Sequence, residues 1–348
     1  MGTLQLGQRR VGPGEPCLII AEAGVNHEGS LERAKWLARI AREAGADIVK
    51  YQVVTAEKVI SARELEKVDR IRRERGEEPL FDMIKRLELP SDDFHRLKRY
   101  CDEIVIEFAA SFIDADGADL LEDIGVSFFK LASGELTNLP LLRHVARKGR
   151  PMILSTGMAT LGEVEEAVAS VRAVGCDDLA ILHCVSAYPA ALEEINLDAM
   201  ATLRRVFQVP VGYSDHTVGP LATIAAVCRG AEIVEKHVTY DRTLPGADHA
   251  HSSDPQELTY IVHSIRTLER AFGHGRKEPA PAEREARASF RRSVVAKVAI
   301  AAGETITPDK VTCKRPATGI LPNLLEKVYG RVAKRAIEAD ETITWEMV

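Results

Sequence analysis

Ile48-Val49-Lys50-Tyr51-Gln52 is an apolar, β-branched start that runs into an ammonium and an amide. In an extended strand successive side chains face opposite ways, so Lys50 and Gln52 share one face. An apolar run ending in polar residues is the signature of a parallel strand covered on both sides and opening onto a site at its C-terminal end. The pattern recurs in eight runs, at residues 17–23, 47–52, 105–111, 127–133, 151–157, 179–185, 210–214 and 232–239. Amphipathic stretches separate them. Residues 30–44 begin at a Ser30 N-cap with Glu32 in the first turn and stop at Gly45, and residues 161–174 read the same way. Eight strand-helix units predict an α/β fold of the closed (β/α)8 TIM barrel type. An open doubly wound sheet is the alternative, but polar residues at nearly every strand end favour the barrel. A long insertion at 55–88, rich in Arg and Glu, is expected to form a helical flap over the barrel mouth.

The barrel is expected to occupy residues 1–272, with a last helix near 254–272 and a linker of charge, Ala and Pro at 273–290. A second domain follows at 291–348. Inside it Ile300-Ala301-Ala302-Gly303-Glu304-Thr305-Ile306-Thr307 recurs as Ile337-Glu338-Ala339-Asp340-Glu341-Thr342-Ile343-Thr344, which predicts two similar β-turn-β elements. A fold of about 55 residues is marginal alone, so it should dock on its own barrel or on a partner's.

The 348 residues hold 46 basic and 52 acidic side chains, a net charge of −6, with 45% hydrophobic and 28% charged residues. That mixture gives no positive field to gather nucleic acid or an anionic membrane, and an anionic substrate would need a local basic pocket. Residues 1–10 read as polar with neither an export signal nor a membrane anchor. Six cysteines without a CxxC pair suit buried, reduced thiols, and the expected location is cytoplasmic.

Strand ends supply the candidate chemistry. Lys50 and Gln52 come from the second run, Lys130, Ser133 and Glu135 from the fourth, Ser155 from the fifth, Ser214 from the seventh and Glu22 from the first. Taken singly each reads as a solvated strand end. Two lysines and three serines converging at one mouth would instead replace the hydration of a phosphate dianion. His216 and His237 close adjacent staves, so their imidazoles can meet at one divalent ion acting as a Lewis acid. The Asp248-His249-Ala250-His251 loop reads as a substrate contact, with a further metal ligand as the other reading.

At these residues the chain closely resembles the sialic acid synthases. The resemblance rests on Ile19-Ile20-Ala21-Glu22-Ala23-Gly24-Val25-Asn26-His27-Glu28-Gly29, Val49-Lys50-Tyr51-Gln52, Lys130-Leu131-Ala132-Ser133-Gly134-Glu135, Leu154-Ser155-Thr156-Gly157-Met158, Tyr213-Ser214-Asp215-His216-Thr217 and Glu235-Lys236-His237, in family order, with Lys314-Arg315-Pro316 in the tail. It implies a C-terminal β-clip domain of the antifreeze-like (SAF) type. It also implies condensation of phosphoenolpyruvate with an N-acetylated hexosamine, N-acetylmannosamine or a relative, to a nine-carbon 2-keto-3-deoxy (nonulosonic) acid and phosphate by carbon-oxygen cleavage.

Carried over by resemblance, Lys50, Lys130, Ser133, Ser155 and Ser214 are the phosphoenolpyruvate cradle, and His216 and His237 are the metal ligands with Glu22 near the metal's waters. Gln52, Tyr188 and Asp248 are sugar contacts, Glu135 the candidate acid/base, and Arg315 the contact to the N-acyl group across a domain-swapped homodimer. The expected metal is Mn2+, with Mg2+ and Co2+ as alternatives. Departures fall mostly on the sugar side: Ala109-Ala110-Ser111-Phe112 displaces a hydroxyl to Ser111, Ser186 stands where relatives can have Asn, and the insertion has Arg75-Gly76-Glu77-Glu78. A legionaminic- or pseudaminic-type diacetamido acceptor, another phosphoenolpyruvate aldol synthase, and a catalytically silent sugar-binding or regulatory homologue are the alternatives.

Overall fold

The computed structural model describes residues 2–246 and 248–348, in two compact units, Met1–Gly273 and His274–Val348. The first opens with a hairpin, β1 (Leu4–Leu6) against β2 (Arg9–Val11). Eight parallel strands follow: β3 (Leu18–Gly24), β4 (Ile48–Val53), β5 (Glu107–Phe112), β6 (Phe129–Leu131), β7 (Met152–Ser155), β8 (Leu179–Cys184), β9 (Val211–Asp215) and β10 (Ile233–His237). They pair in sequence order, and β10 returns to β3, so the sheet is a closed barrel.

Period-two alternation sorts each strand into two layers. Outward positions such as Ile19, Val49, Tyr51, Phe108, Leu154, Ile181 and Val211 are buried against the surrounding helices. Inward positions Leu18, Ile20, Ile48, Ala109, Phe128, Ile153, Leu182 and Ile233 fill the lower barrel as a separate apolar cluster. Leu4, Leu6 and Val11 of the hairpin belong to that cluster. The first ten residues are therefore not simply polar: the hairpin packs on the barrel floor. The hairpin strands, three residues each, are too short for their alternation to be read from the sequence. Burying a side chain such as Leu6 contributes about 1.5–3 kcal/mol.

Above this apolar floor the inward positions change character to Glu22, Lys50, Ser111, Lys130, Ser155, Cys184, Ser214 and Glu235, all buried. Water is excluded from below, so these groups must satisfy one another or be met from above.

Helix ends are set locally. Ser30 accepts from the Arg33 amide, and Gly45, at φ 85°, closes the helix Leu31–Ala44. Thr160 and Glu163 form a capping box for Leu161–Arg172. The insertion folds as helices Ala56–Val59, Ala62–Glu74 and Leu80–Leu87. Arg72, Met83 and Arg86 from it line a cavity of about 430 Å3 with Val25, Asn26, Glu28 and His249 from the loops after β3 and β10. Among the described residues no helix is long and apolar enough to cross a membrane.

In the second unit β11 (Ser293–Ala296) pairs antiparallel with β12 (Val311–Lys314). The two copies of the repeat meet each other, since Ile300 and Ile337 exchange both backbone hydrogen bonds at 2.9 Å. Each copy closes its turn alike, Ala301 N–H donating to Glu304 and Glu338 N–H to Glu341. The stretch expected as linker is partly helical, with a 3-10 turn at Pro281–Glu283 and a helix at Arg284–Phe290.

Candidate active site at the barrel mouth

Strand register decides which polar groups meet. Glu22 on β3 is level with Lys50 on β4, Ser111 on β5 with Lys130 on β6, and Ser214 on β9 with Glu235 on β10. Lys50 Nζ lies 2.8 Å from Glu22 Oε2 and 3.7 Å from Glu235 Oε1, and Lys130 Nζ lies 3.6 Å from the same Glu235 oxygen. Ser214 donates to that oxygen at 3.0 Å, and Lys130 donates to Ser155 Oγ at 2.8 Å. Two ammoniums thus flank one carboxylate, with serine hydroxyls beside them. Glu235 Oε2 is buried without a hydrogen-bond partner.

Electrostatics follow from burial. Glu235 should be pushed up by desolvation, but the Lys130, Lys50 and His237 charges overcome this and hold it below the usual carboxylate range. Lys130 moves down because burial and neighbouring Lys50 outweigh Glu235, whereas Lys50, burial notwithstanding, is raised by Glu22 and Glu235. Glu22 is raised, first by burial and then by the Glu235 charge, against the pull of Lys50. A carboxyl that keeps its proton readily therefore sits beside one that does not.

Ser133 lies at the start of a 3-10 turn, Ser133–Glu135, rather than in β6. Its hydroxyl accepts from Gly157 N–H at 3.0 Å and lies 3.0 Å from Cys184 Sγ. Gly157 permits this approach, because a Cβ there would stand 2.2 Å from Ser186 Oγ and 2.8 Å from Ser133 Oγ.

Glu135 lies beyond the strand expected to carry it. β6 ends at Leu131, the chain turns, and the half-buried Glu135 carboxylate accepts from Asn138 Nδ2 at 2.9 Å. Its hydrogen bond is thus to its own turn, while the carboxylates among the lysines are Glu22 and Glu235. Gln52 donates to Glu22 Oε1 at 3.2 Å. Glu235 is not among the residues the sequence singles out; alternation places it on the same strand face as His237, but its place between two lysines needs the neighbouring strands.

Beside the lysines lies a histidine group. His237 is the centre, its ring centroid 5.5 Å from His216 and 5.2 Å from His251. His237, Asp248 and His251 offer ligand atoms all within 4.8 Å of one another, the one group of this kind among the described residues. His216 stands outside that tightest group. Its Nδ1 donates to the Val185 carbonyl at 2.6 Å, which leaves Nε2 with its lone pair. His251 Nε2 is buried without a partner, and His237 Nδ1 lies 3.4 Å from Asp248 Oδ2 without hydrogen-bond geometry. Burial and the neighbouring His237 hold both His216 and His251 at about 4, so both are neutral donors at pH 7. For His237 itself burial opposes the charge, but Asp248, with Glu22 behind it, raises it. Imidazole nitrogens without partners, beside the Asp248 carboxylate, could hold a borderline divalent cation.

Tyr188 covers this group, its ring centroid 4.3 Å from that of His216, and is 54% exposed, so it can meet a ligand from above. Asp248, expected at the sugar, sits within the histidine group. Arg315 belongs to the second unit, where its guanidinium lies 5.3 Å from the Phe290 ring centroid. Ser111 is inward and buried beside Lys130, on the β5 stave where the strand-three hydroxyl is displaced.

Comparison with known proteins is specific. Residues 37–277 match the NeuB family and residues 291–348 match the SAF domain. The chain is 41% identical to the N,N'-diacetyllegionaminic acid synthase of Legionella pneumophila, over 95% of this chain and 94% of that one. It is 36% identical to the human N-acetylneuraminate-9-phosphate synthase, over 98% and 95% of the two chains. The crystal structure of N-acetylneuraminic acid (sialic acid) synthetase from Leptospira borgpetersenii, in complex with citrate, superposes with a TM-score of 0.74 at 35% identity, covering 82% of this chain and 95% of that one. A parallel barrel with this polar mouth, joined to a SAF domain and similar over nearly its whole length to these synthases, makes the chain a member of the NeuB family of sialic acid synthases.

Proposed function

We propose that the chain condenses phosphoenolpyruvate with the open-chain form of an N-acylated hexosamine, giving a nine-carbon 2-keto-3-deoxy acid and phosphate. One observation supports this above the others: Lys50, Lys130 and Ser214 meet at a single buried carboxylate, Glu235, with Ser155 bound to Lys130, above the apolar barrel floor. The phosphate dianion enters a ring of donors already assembled around Glu235, so little reorganisation is needed. C3 of the enol phosphate attacks the aldehyde carbon, forming the new C–C bond. Water adds at C2, and the C2–O bond to phosphate then breaks.

A divalent ion, Mn2+ first and Mg2+ or Co2+ after it, would be held by His216 and His237 with Asp248 and His251 alongside, and its chemistry there is Lewis-acid polarisation of the aldehyde. Glu22, inclined to stay protonated by burial and by Glu235, is the group proposed to give a proton to the developing alkoxide, in place of Glu135. Tyr188 and Gln52 are proposed to face the sugar. Arg315, as the N-acyl contact, belongs to the same reading through an interlocked homodimer. The Legionella relative supports a second acceptor reading, a diacetamido sugar.

The test is phosphate release and product mass with phosphoenolpyruvate, Mn2+ and a panel of mono- and diacetamido hexoses. A nine-carbon keto acid from one of them is expected. Silence across the panel, with Mn2+ still bound, would favour the sugar-binding homologue.

A further inference from the structure

Behind the histidines, on the outer face of the same two strands, lies a buried ion pair that the chemistry above does not use. Asp215 and Lys236 are register partners on β9 and β10. Each is 1% exposed and points away from the barrel interior. Lys236 Nζ donates to Asp215 Oδ2 at 2.9 Å and to the Thr217 carbonyl at 2.5 Å. Asp215 also accepts from the Thr217 amide at 2.9 Å and from the Thr223 hydroxyl, on the helix Leu221–Cys228, at 2.6 Å.

The connectivity is unusually direct. His216 lies between Asp215 and Thr217, and one ammonium holds both neighbours. That ammonium belongs to Lys236, the residue before His237. Alternation turns the two histidines inward and Asp215 and Lys236 outward, so one outer contact ties together the backbone under both imidazoles. β9 ends at Asp215, so beyond it His216 is held not by the ladder but by Ala190 N–H donating to its carbonyl at 3.0 Å, by its own Nδ1 bond to Val185, and by the contact behind its two neighbours.

We infer that Lys236 and Asp215 are positioning residues for the histidine site: the pair fixes the spacing of His216 and His237, and so the affinity for the divalent ion. The inference rests on the metal reading given above. Residues behind metal ligands that orient them change metal affinity by roughly 10–100-fold when replaced. A buried pair exchanged for apolar residues of similar volume commonly leaves the fold intact, which separates positioning from simple stabilisation.

The test is Mn2+ binding, followed through the free-ion electron paramagnetic resonance signal, on the full chain stripped of metal. Lys236→Met with Asp215→Leu should weaken Mn2+ binding about tenfold or more, in line with that range. Calorimetric affinity for phosphoenolpyruvate in chelator should stay within about twofold, because the lysine ring is untouched. Val234→Ala, on the outer face of β10 but outside the pair, should lower the melting temperature and leave Mn2+ affinity unchanged. Should that double variant fail to fold, Lys236→Gln with Asp215→Asn, which also leaves no buried charge unpaired, replaces it with the same expected loss. Wild-type protein that binds Mn2+ while the folded variant binds it equally well overturns the inference alone, as does equal weakening by Val234→Ala. Wild-type protein that binds no Mn2+ removes the metal reading, and the inference with it.

Discussion

Glu235→Gln is the most informative perturbation of the barrel mouth, because it removes one buried charge that two ammoniums share. With Nζ–Oε1 separations of 3.6 and 3.7 Å, each pair is worth about 4–5 kcal/mol of Coulomb energy at an effective dielectric of about 20. The net loss is smaller, since Lys130, already lowered by burial, can release its proton when its partner is gone. Breaking a buried pair by removing one partner typically costs about 3–5 kcal/mol. At about 2–4 °C per kcal/mol for a domain of this size, the barrel should melt roughly 6–20 °C lower in metal-free buffer. Phosphoenolpyruvate should restore much of this, because its phosphate supplies the missing negative charge. The assay is thermal unfolding of wild type and variant with and without the ligand, and Ser214→Ala, which removes one hydrogen bond, should cost only about 1 kcal/mol. An unchanged melting temperature, or a ligand-induced shift no larger in the variant than in wild type, would refute the shared counter-charge.

His237→Ala should abolish Mn2+ binding and metal-dependent phosphate release while the circular dichroism spectrum stays that of the wild type; undiminished turnover in that variant would sink the metal assignment. His27, His216 and His251 sit at about 4 when folded against 6.5 unfolded, so the unfolded chain takes up their protons first, and the metal-free barrel should lose stability as pH falls from about 6.5 to about 4. His237 is raised and works in the opposite sense, its contribution being full below 6.5 and lost at higher pH, so three rings outweigh one. Denaturant titrations at pH 7 and pH 5 measure the difference, and greater stability at pH 5 contradicts the assignment. Arg315→Ala should raise the sugar KM much more than the KM for phosphoenolpyruvate; equal effects on both would speak against its N-acyl role.

The eight barrel strands were legible because each joins an apolar run to a polar end, and Lys50 and Ser214 could be aimed inward by counting along their strands. Counting failed where the strand stopped. β6 spans only Phe129–Leu131, so the alternation that reaches Lys130 does not extend through the turn to Glu135. Glu235 is hidden for a different reason: a carboxylate between two lysines has meaning only once three strands are brought together, and a linear motif shows just Glu-Lys-His. The joining of Asp248 and His251 to His237 depends on the path of a loop, which residue type alone does not determine. In the second unit the repeat was visible, but the pairing of Ile300 with Ile337 required the fold.

The most direct measurement is diffraction from a crystal soaked with phosphoenolpyruvate and Mn2+, recorded at the manganese edge. The account predicts an anomalous peak bonded to the His237 imidazole, with the phosphate between Lys50, Lys130 and Ser155. Manganese away from His237, or phosphate bound outside the lysine pair, would contradict it.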